Sequence, residues 1–293
     1  MNILFFGKKT TGKENAEFQR IVNDIEQYCD KIFLYRETAD ALENEIDFGE
    51  RFELIDSILE VEREIDFFIS VGGDGTFLDA AAIIGQTGIP VLGVNIGRLG
   101  FLSSIAPQQV KEALLSIRNG EYKIEKRMLL NIEASAAQLS GKNTAVNDVC
   151  VQRLPPGGMI SIEVSVNEQH LNTYRADGLI VATPTGSTAY SLGCGGPIIV
   201  PEAEVFVLTP IAPHSLTVRP IVIPAQNTIR IKVNSRGDDF YLSIDSNNYK
   251  LTEKQQITIK KSNYFLNVLH LKSHSFYHTI SQKLKWGIDD RNQ

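Results

Sequence analysis

The run Phe67-Phe68-Ile69-Ser70-Val71 is apolar and β-favouring. It breaks at Gly72-Gly73-Asp74-Gly75 before a helix-forming stretch from Thr76 to Ile84. Strand, tight turn and helix in that order are the repeating unit of a parallel α/β sheet. The order sets the turn beyond the carboxyl end of the strand, where such sheets take their ligands. Glycines without Cβ atoms let backbone N–H groups approach a ligand, and a new helix N-terminus favours phosphate. Asp74 is the one side chain with chemistry in that turn. The segment reads as a nucleotide-phosphate site with a built-in acid/base group, although Gly-Gly and Asp-Gly are also ordinary turn dipeptides.

The same alternation fills the first third of the chain. Strands are expected at Asn2–Phe6, Lys31–Tyr35, Phe67–Val71 and Val91–Val94. Helices are expected near Glu14–Tyr28, over the acidic stretch from Thr38 to about Glu64, at Thr76–Ile84 and at Gln108–Asn119, ended by Gly120. Strands separated by helices predict a Rossmann-like parallel sheet over residues 1–120. After Tyr122 short β-branched or alternating runs dominate: Lys123–Ala134, Val146–Gln152, Ile160–Val166, Leu179–Ala182, Val205–Thr209, Thr228–Val233, Phe240–Ile244 and Ile257–Lys261. Turns such as Pro155-Pro156-Gly157-Gly158 and Arg236-Gly237-Asp238 separate them, so residues 121–269 predict a β-rich domain. One short helix is expected at Ser187–Leu192, and the amphipathic tail from Ser275 to Trp286 predicts a helix docking back on the first domain.

A length of 293 residues suits two domains, and 43% hydrophobic with 22% charged residues suits a soluble protein. No apolar run approaches a membrane span, and the N-terminus reads as a first strand rather than a leader. Cys29, Cys150 and Cys194 are far apart and lack metal spacing, which fits a reducing cytoplasm. A net charge of −6 argues against a nucleic-acid partner. It leaves nucleotides open, because Lys8, Lys9, Lys13, Arg98, Arg175 and Arg219 stand beside glycine-rich or turn segments.

Other segments carry candidate chemistry. Asn95-Ile96-Gly97-Arg98-Leu99-Gly100-Phe101-Leu102 makes a second turn at a strand's carboxyl end. Arg175-Ala176-Asp177-Gly178 leads into strand Leu179–Ala182, and hydroxyls, small residues and Tyr190 then crowd the strand-to-helix junction Thr183–Pro197. Such a junction can hydrogen-bond adenine or ribose edges while the aromatic packs on a ring; helix capping, by Ser187 or Thr188 at the N-cap and Gly193 near the C-cap, explains only part of it. Gly7-Lys8-Lys9-Thr10-Thr11-Gly12-Lys13 fits a phosphate-loop frame, but Glu14 stands where Ser or Thr should hold Mg²⁺. His270, His274 and His278 are four apart, yet Phe265–Leu271 reads as a strand, so packing or surface roles are expected and no metal site. His214 sits in a turn where structure and catalysis are both open.

With these segments in order, the chain resembles the NAD kinase family over nearly its whole length. The matching segments are Gly72–Thr76, Asn95–Leu102, Asn147-Asp148, Tyr174–Gly178, Thr183–Tyr190, Ala212–Leu216 and Arg219-Pro220. The resemblance implies transfer of the ATP γ-phosphoryl to the 2′-hydroxyl of the adenosine ribose of NAD, with Mg²⁺ or another divalent cation accompanying ATP. It implies an α/β domain, a β-sandwich-like domain, and a homodimer or homotetramer with sites near subunit contacts. Asp74 would accept the hydroxyl proton and, with Gly75, contact NAD, while Gly72, Gly73 and Gly75 would meet the ATP phosphates. Asn147 and Asp148 would contact adenine and ribose. Thr185, Thr188, Ala189 and Tyr190 would hold the adenosine, continued by Ser191, Leu192 and Gly193. Arg175, Asp177, Ala212 and Asn247 would line the rest of the dinucleotide site. Two positions depart from the family pattern: Gly193 where Ser is frequent, and Asp245-Ser246-Asn247 where the turn is Asp-Gly-Gln-like. A lipid or sugar kinase of the same superfamily predicts the Asp74 turn without the Thr183–Tyr190 cluster, and a non-catalytic dinucleotide sensor predicts NAD binding without ATP.

Overall fold

The computed structural model describes every residue except 9–11, 13, 98–99, 135–138, 140–142, 156–157, 236–238, 253–254 and 287–293. Lys9, Lys13, Arg98, the Pro156-Gly157 turn and Arg236-Gly237-Asp238 therefore lie outside the described residues. The chain divides into two compact units, Met1–Glu125 with Asn267–Gln293, and Lys126–Leu266.

The first unit begins with β1 (Asn2–Gly7), α1 (Asn15–Tyr28), β2 (Lys31–Tyr35), α2 (Arg36–Leu42) and β3 (Phe52–Ile55). It continues with β4 (Phe67–Gly72), α3 (Asp74–Ile84), β5 (Val91–Asn95) and α4 (Val110–Arg118). The strands form a parallel sheet in the order β3-β2-β1-β4-β5. In α1, Phe18, Ile21, Val22 and Ile25 are buried at helical spacing and pack, with Val110, Ala113, Leu114 and Ile117 of α4, on Ile3, Phe5, Ile69 and Val71 of the sheet. Strand order reverses between β1 and β4. A doubly wound sheet opens its ligand crevice at such a reversal, and both Lys8 and the Gly72–Gly75 turn stand at it.

The acidic stretch from Thr38 to Glu64 corrects the expected helix. Here α2 ends at Leu42, and the chain turns into edge strand β3 and a short 3-10 turn at Ile58–Glu60, closed by a Ser57–Glu60 capping box. Phe48 and Phe52 set their rings 6.0 and 6.2 Å from Phe5, so aromatic docking and pairing with β2 override local helix preference.

The second unit is antiparallel. Its strands are β6 (Tyr122–Ala134), β7 (Thr144–Ala145), β8 (Asp148–Arg153), β9 (Ile160–Val166), β10 (Gln169–Ala176) and β11 (Gly178–Ala182). A one-turn α5 (Tyr190–Gly193) precedes β12 (Val205–Ile211), β13 (Ile221–Pro224), β14 (Ile229–Asn234), β15 (Phe240–Ile244), β16 (Asn247–Leu251) and β17 (Gln256–Leu271). One sheet runs β10-β9-β14-β17, with β6 beside β17 and β7 beside β6; the other runs β13-β12-β11-β8-β15-β16. Inward residues of both, among them Ile162, Val164, Ile231 and Ile257 facing Val151, Val181, Leu208 and Leu242, form a sandwich core. Strand β10 escapes sequence reading because its turn from β9 is Asn167-Glu168, both at positive φ (48° and 67°), without the glycine that usually marks such a hairpin.

From Asn267 onward the chain belongs to the first unit again. Val268 of β17 pairs in parallel with Val91 of β5, and α6 (Phe276–Leu284) follows, with Ser275 as its N-cap. The C-terminal helix thus returns to the first unit as expected. His270 lies on β17 with its ring stacked on that of His274, centroids 3.9 Å apart, while His278 rides on α6.

Candidate active site

In the first unit the site is built around Asp74, the first residue of α3. Its Oδ2 accepts the N–H of Phe101 at 2.9 Å, and its Oδ1 accepts those of Leu102 and Ser103 at 3.0 Å each. The two glycine-rich turns anticipated from sequence are therefore joined through this carboxylate. Oδ1 has both lone-pair directions occupied, and Oδ2 keeps one for a further donor. Lys283 of α6 sets its Nζ 4.0 Å from Oδ2, and Lys8 pairs with Asp79 of α3 at 2.5 Å.

The glycines of the turn divide into two kinds. Gly72 has φ +152°, and a Cβ there would stand 2.7 Å from Cβ of Thr76, so backbone and packing both demand glycine. At Gly73 and Gly75 an added Cβ would meet nothing within 4 Å. The space over those two residues is open, as close approach of a phosphate requires. Nearby Asn95, buried at the end of β5, has no hydrogen-bond partner for its Oδ1 among the described residues.

In the second unit three segments separated in sequence converge. Asp245, at φ 49°, accepts N–H groups of Val146, Asn147 and Asp148 at 2.8, 2.8 and 3.1 Å. Thr183 donates its hydroxyl to the Val146 carbonyl at 2.6 Å and its N–H to that of Asn147 at 2.9 Å. A Cβ at Gly186 would stand 2.8 Å from the Cα of Asn147, so only glycine permits this contact. Asn147, Asp148 and the Thr183–Tyr190 segment consequently meet at one end of β8 and β11, with Asn247 at the start of β16 beyond the Asp245 turn. Asp148 is only 7% exposed; burial first, and the charge of Asp245 second, push its carboxyl up to about 7. Burial also raises Asp245, against the lowering effect of its three N–H bonds.

The hydroxyls of the cluster divide their work. Ser187 donates to the Pro184 carbonyl at 2.6 Å and accepts from Ile199 N–H at 3.0 Å, and buried Ser191 bonds Thr209 at 2.8 Å. Thr185 is buried and receives Arg127 Nη1 at 3.4 Å. These groups hold the segment in shape. Thr188, Ala189 and Leu192 are half-buried, and Tyr190 and Gly193 exposed, on its outer edge. The Tyr190 hydroxyl accepts from Gln152 Nε2 at 3.1 Å, and no side-chain cap bonds α5.

Arg175, Asp177 and Ala212 gather elsewhere. Ala182 of β11 lies opposite Asp148, whereas Gly178 lies opposite Gln152 and Ile211. At about 3.3 Å per residue, Asp177 is therefore roughly 20 Å from Thr183 along that strand. Asp177 Oδ1 accepts from Arg153 Nε at 2.7 Å, and the Arg175 carbonyl accepts the N–H of His214 at 2.8 Å. Arg175 and His214, with Arg219, line a cleft of about 480 Å³. Ala212 takes φ 44° at the turn after β12. The sequence had not singled out Asp245 or Lys283. Asp245 had a weak signal, as the acidic residue of the Asp245-Ser246-Asn247 turn, and Lys283 had none.

Comparison with known proteins decides the family. Residues 9–122 match the ATP-NAD kinase N-terminal domain, and residues 146–271 the ATP-NAD kinase C-terminal domain. The chain belongs to the NAD kinase family. It is 38% identical to the NAD kinase of Bacteroides fragilis over 99% of this chain and 100% of that one. It is 36% identical to the NAD kinase of Flavobacterium psychrophilum over the full length of both. Among solved structures, an NAD kinase from Archaeoglobus fulgidus in complex with ATP superposes with a TM-score of 0.70 at 26% identity, covering 97% of this chain and 99% of that one. Yeast NADH kinase complexed with NADH shares the fold, with a TM-score of 0.88 at 22% identity over 100% and 89% of the two chains. Members of the NAD kinase family are ATP-dependent phosphotransferases. Among the described residues no helix is long and apolar enough to cross a membrane.

Proposed function

We propose that this protein transfers the γ-phosphoryl group of ATP to the 2′-hydroxyl of the adenosine ribose of NAD, producing NADP, with Asp74 as proton acceptor. The observation that carries the reading is the Asp74 carboxylate, anchored by three backbone N–H groups with one Oδ2 lone pair remaining, beside an uncluttered glycine turn. In this reading the first unit supplies the base and the phosphate turn. The second supplies the adenosine cluster of Asn147, Asp148 and Thr185–Gly193.

A carboxylate is too weak a base to ionise a free ribose hydroxyl beforehand. A loose phosphoryl transfer does not ask it to, because the hydroxyl acidifies as its oxygen bonds to phosphorus. Most of the rate then comes from positioning and from donors that neutralise the phosphates. Among the described residues no group of three ligating side chains could hold a metal. A Mg²⁺ ion would accordingly be held by the triphosphate and water with at most a carboxylate from the protein, the usual manner for that ion, and would supply charge neutralisation. Arg175, Asp177 and Ala212 gather beyond the far end of β11 from the adenosine cluster of their own chain. We assign them to the dinucleotide site of a second copy in a homodimer or homotetramer. Three free thiols are in keeping with a cytoplasmic setting.

One observation favours a second, binding-only reading. Asp74 already has a structural task in tying Phe101–Ser103, so its presence does not by itself require chemistry. Purified protein given NAD, ATP and Mg²⁺ separates the two, with Asp74→Asn run alongside. The catalytic reading expects NADP from wild type and a 10²–10⁴-fold lower kcat in the variant, with NAD binding retained. NAD binding without NADP formation would establish the sensor instead.

A further inference from the structure

Lys283 stands in the last turn of α6, three residues after buried Ile280 and so on the face that docks the helix. Only 24% of its side chain is exposed, unusual for lysine. Two contacts fix its ammonium: the face of Phe101, 4.3 Å from the ring centroid, and Asp74 Oδ2 at 4.0 Å. The second distance exceeds that of a charge-assisted hydrogen bond, so the ammonium donors are not engaged by the carboxylate. A lysine near a helix C-terminus also complements the helix dipole. Exposed Lys285, at the C-cap with φ 54°, is equally placed to serve that purpose.

A carboxylate and an incoming triphosphate repel each other. A cation held beside the one oxygen of Asp74 that can accept a proton is placed to offset both charges. We propose that Lys283 is a phosphate-contacting residue of the transfer step, binding an oxygen of the transferring phosphoryl group while Asp74 takes the proton. The proposal rests on the kinase reading above. The ribose 2′-oxygen bonds to the γ-phosphorus, and the bond from that phosphorus to the β,γ-bridging oxygen breaks. Its electron pair leaves with ADP, the hydroxyl proton goes to Oδ2 of Asp74, and Lys283 keeps its own protons.

The test compares wild type, Lys283→Met, Lys283→Arg and Lys285→Gln in the full chain, by steady-state NADP formation, NAD binding and melting temperature. Methionine retains the stem over Phe101 and removes only the charge. Lys283→Met is expected to lower kcat on the order of 10²-fold, with the Kd for NAD within threefold of wild type and the melting temperature maintained. Arginine is expected to restore most of the rate, and Lys285→Gln to match wild type. Equal kcat and KM for ATP in Lys283→Met, or an equal loss in Lys285→Gln, would overturn the assignment while leaving the kinase reading intact. A rate loss that only tracks a fall in melting temperature, with no rescue by arginine, would also overturn it. No NADP from wild type would overturn the kinase reading and the Lys283 role together.

Discussion

Gly100 faces Asp74 so closely that a Cβ added to it would stand 2.7 Å from Cγ of the carboxylate. The glycine is what lets the Gly100–Ser103 loop fold over Asp74 and donate three N–H groups to it. The Asp74 carboxylate and the loop that holds it are thus one device, made from two turns 26 residues apart.

Gly100→Ala must displace either the carboxylate or the loop. Overpacking of this kind costs about 1–3 kcal/mol, and NADP formation is expected to fall at least about tenfold as Asp74 leaves its position. Gly73→Ala is the contrasting case: its Cβ meets nothing, so thermal stability should hold while the KM for ATP rises. Calorimetry and initial rates on both variants check the pair.

Asp148 should give folding a pH signature. Its carboxyl titrates at about 7 in the fold, against an ordinary value of 3.8. The folded state therefore binds this proton more tightly than the unfolded one. The stability this provides is complete below about pH 4 and is lost as pH rises through 7, by up to about 4 kcal/mol. Asp148→Asn is expected to flatten the dependence between pH 4 and 7 and to raise stability above pH 7, read by denaturant unfolding across that range.

Tyr190 is 45% exposed, and its hydroxyl accepts from Gln152. The ring contributes little to the core but offers a face to a base. Tyr190→Ala should leave the melting temperature nearly unchanged and raise the KM for NAD about tenfold, corresponding to about 1.4 kcal/mol.

Gly193, where the family resemblance leads one to expect serine, ends α5 with open space around it and no positive φ. Gly193→Ser is expected to fold without strain and, by adding a hydroxyl toward the adenosine, to lower the KM for NAD severalfold. An unchanged or higher KM would remove Gly193 from the site.

Burial pushes the Cys29 thiol up to about 12 and the Cys150 thiol higher still. Neither forms thiolate near neutrality, so both should resist a disulfide reagent in the native protein and react once it is denatured. Half-buried Cys194, also raised by burial, should react slowly.

Much of this was written locally. Periodicity in Asn15–Tyr28 and the apolar runs at Asn2–Gly7 and Phe67–Gly72 announce a parallel sheet, because burial patterns repeat with the period of the element. Gly72-Gly73-Asp74-Gly75 announces the turn between β4 and α3 for the same reason: the signature of a turn lies in adjacent residues. What the sequence could not decide is whatever depends on distant partners. The strand at Phe52–Ile55 exists because β2 and Phe5 accept it, against a locally helical stretch. Asp245 organises Asn147 and Asp148 across nearly a hundred residues, and Lys283 reaches Asp74 from the far end of the chain. Arg175 and Asp177, near the Thr183–Tyr190 segment in sequence, end up at the other end of β11. Chain order fixes which residues are available and what each can do; only packing brings two of them within reach, since a hydrogen bond or ion pair depends on distance in space and not along the chain.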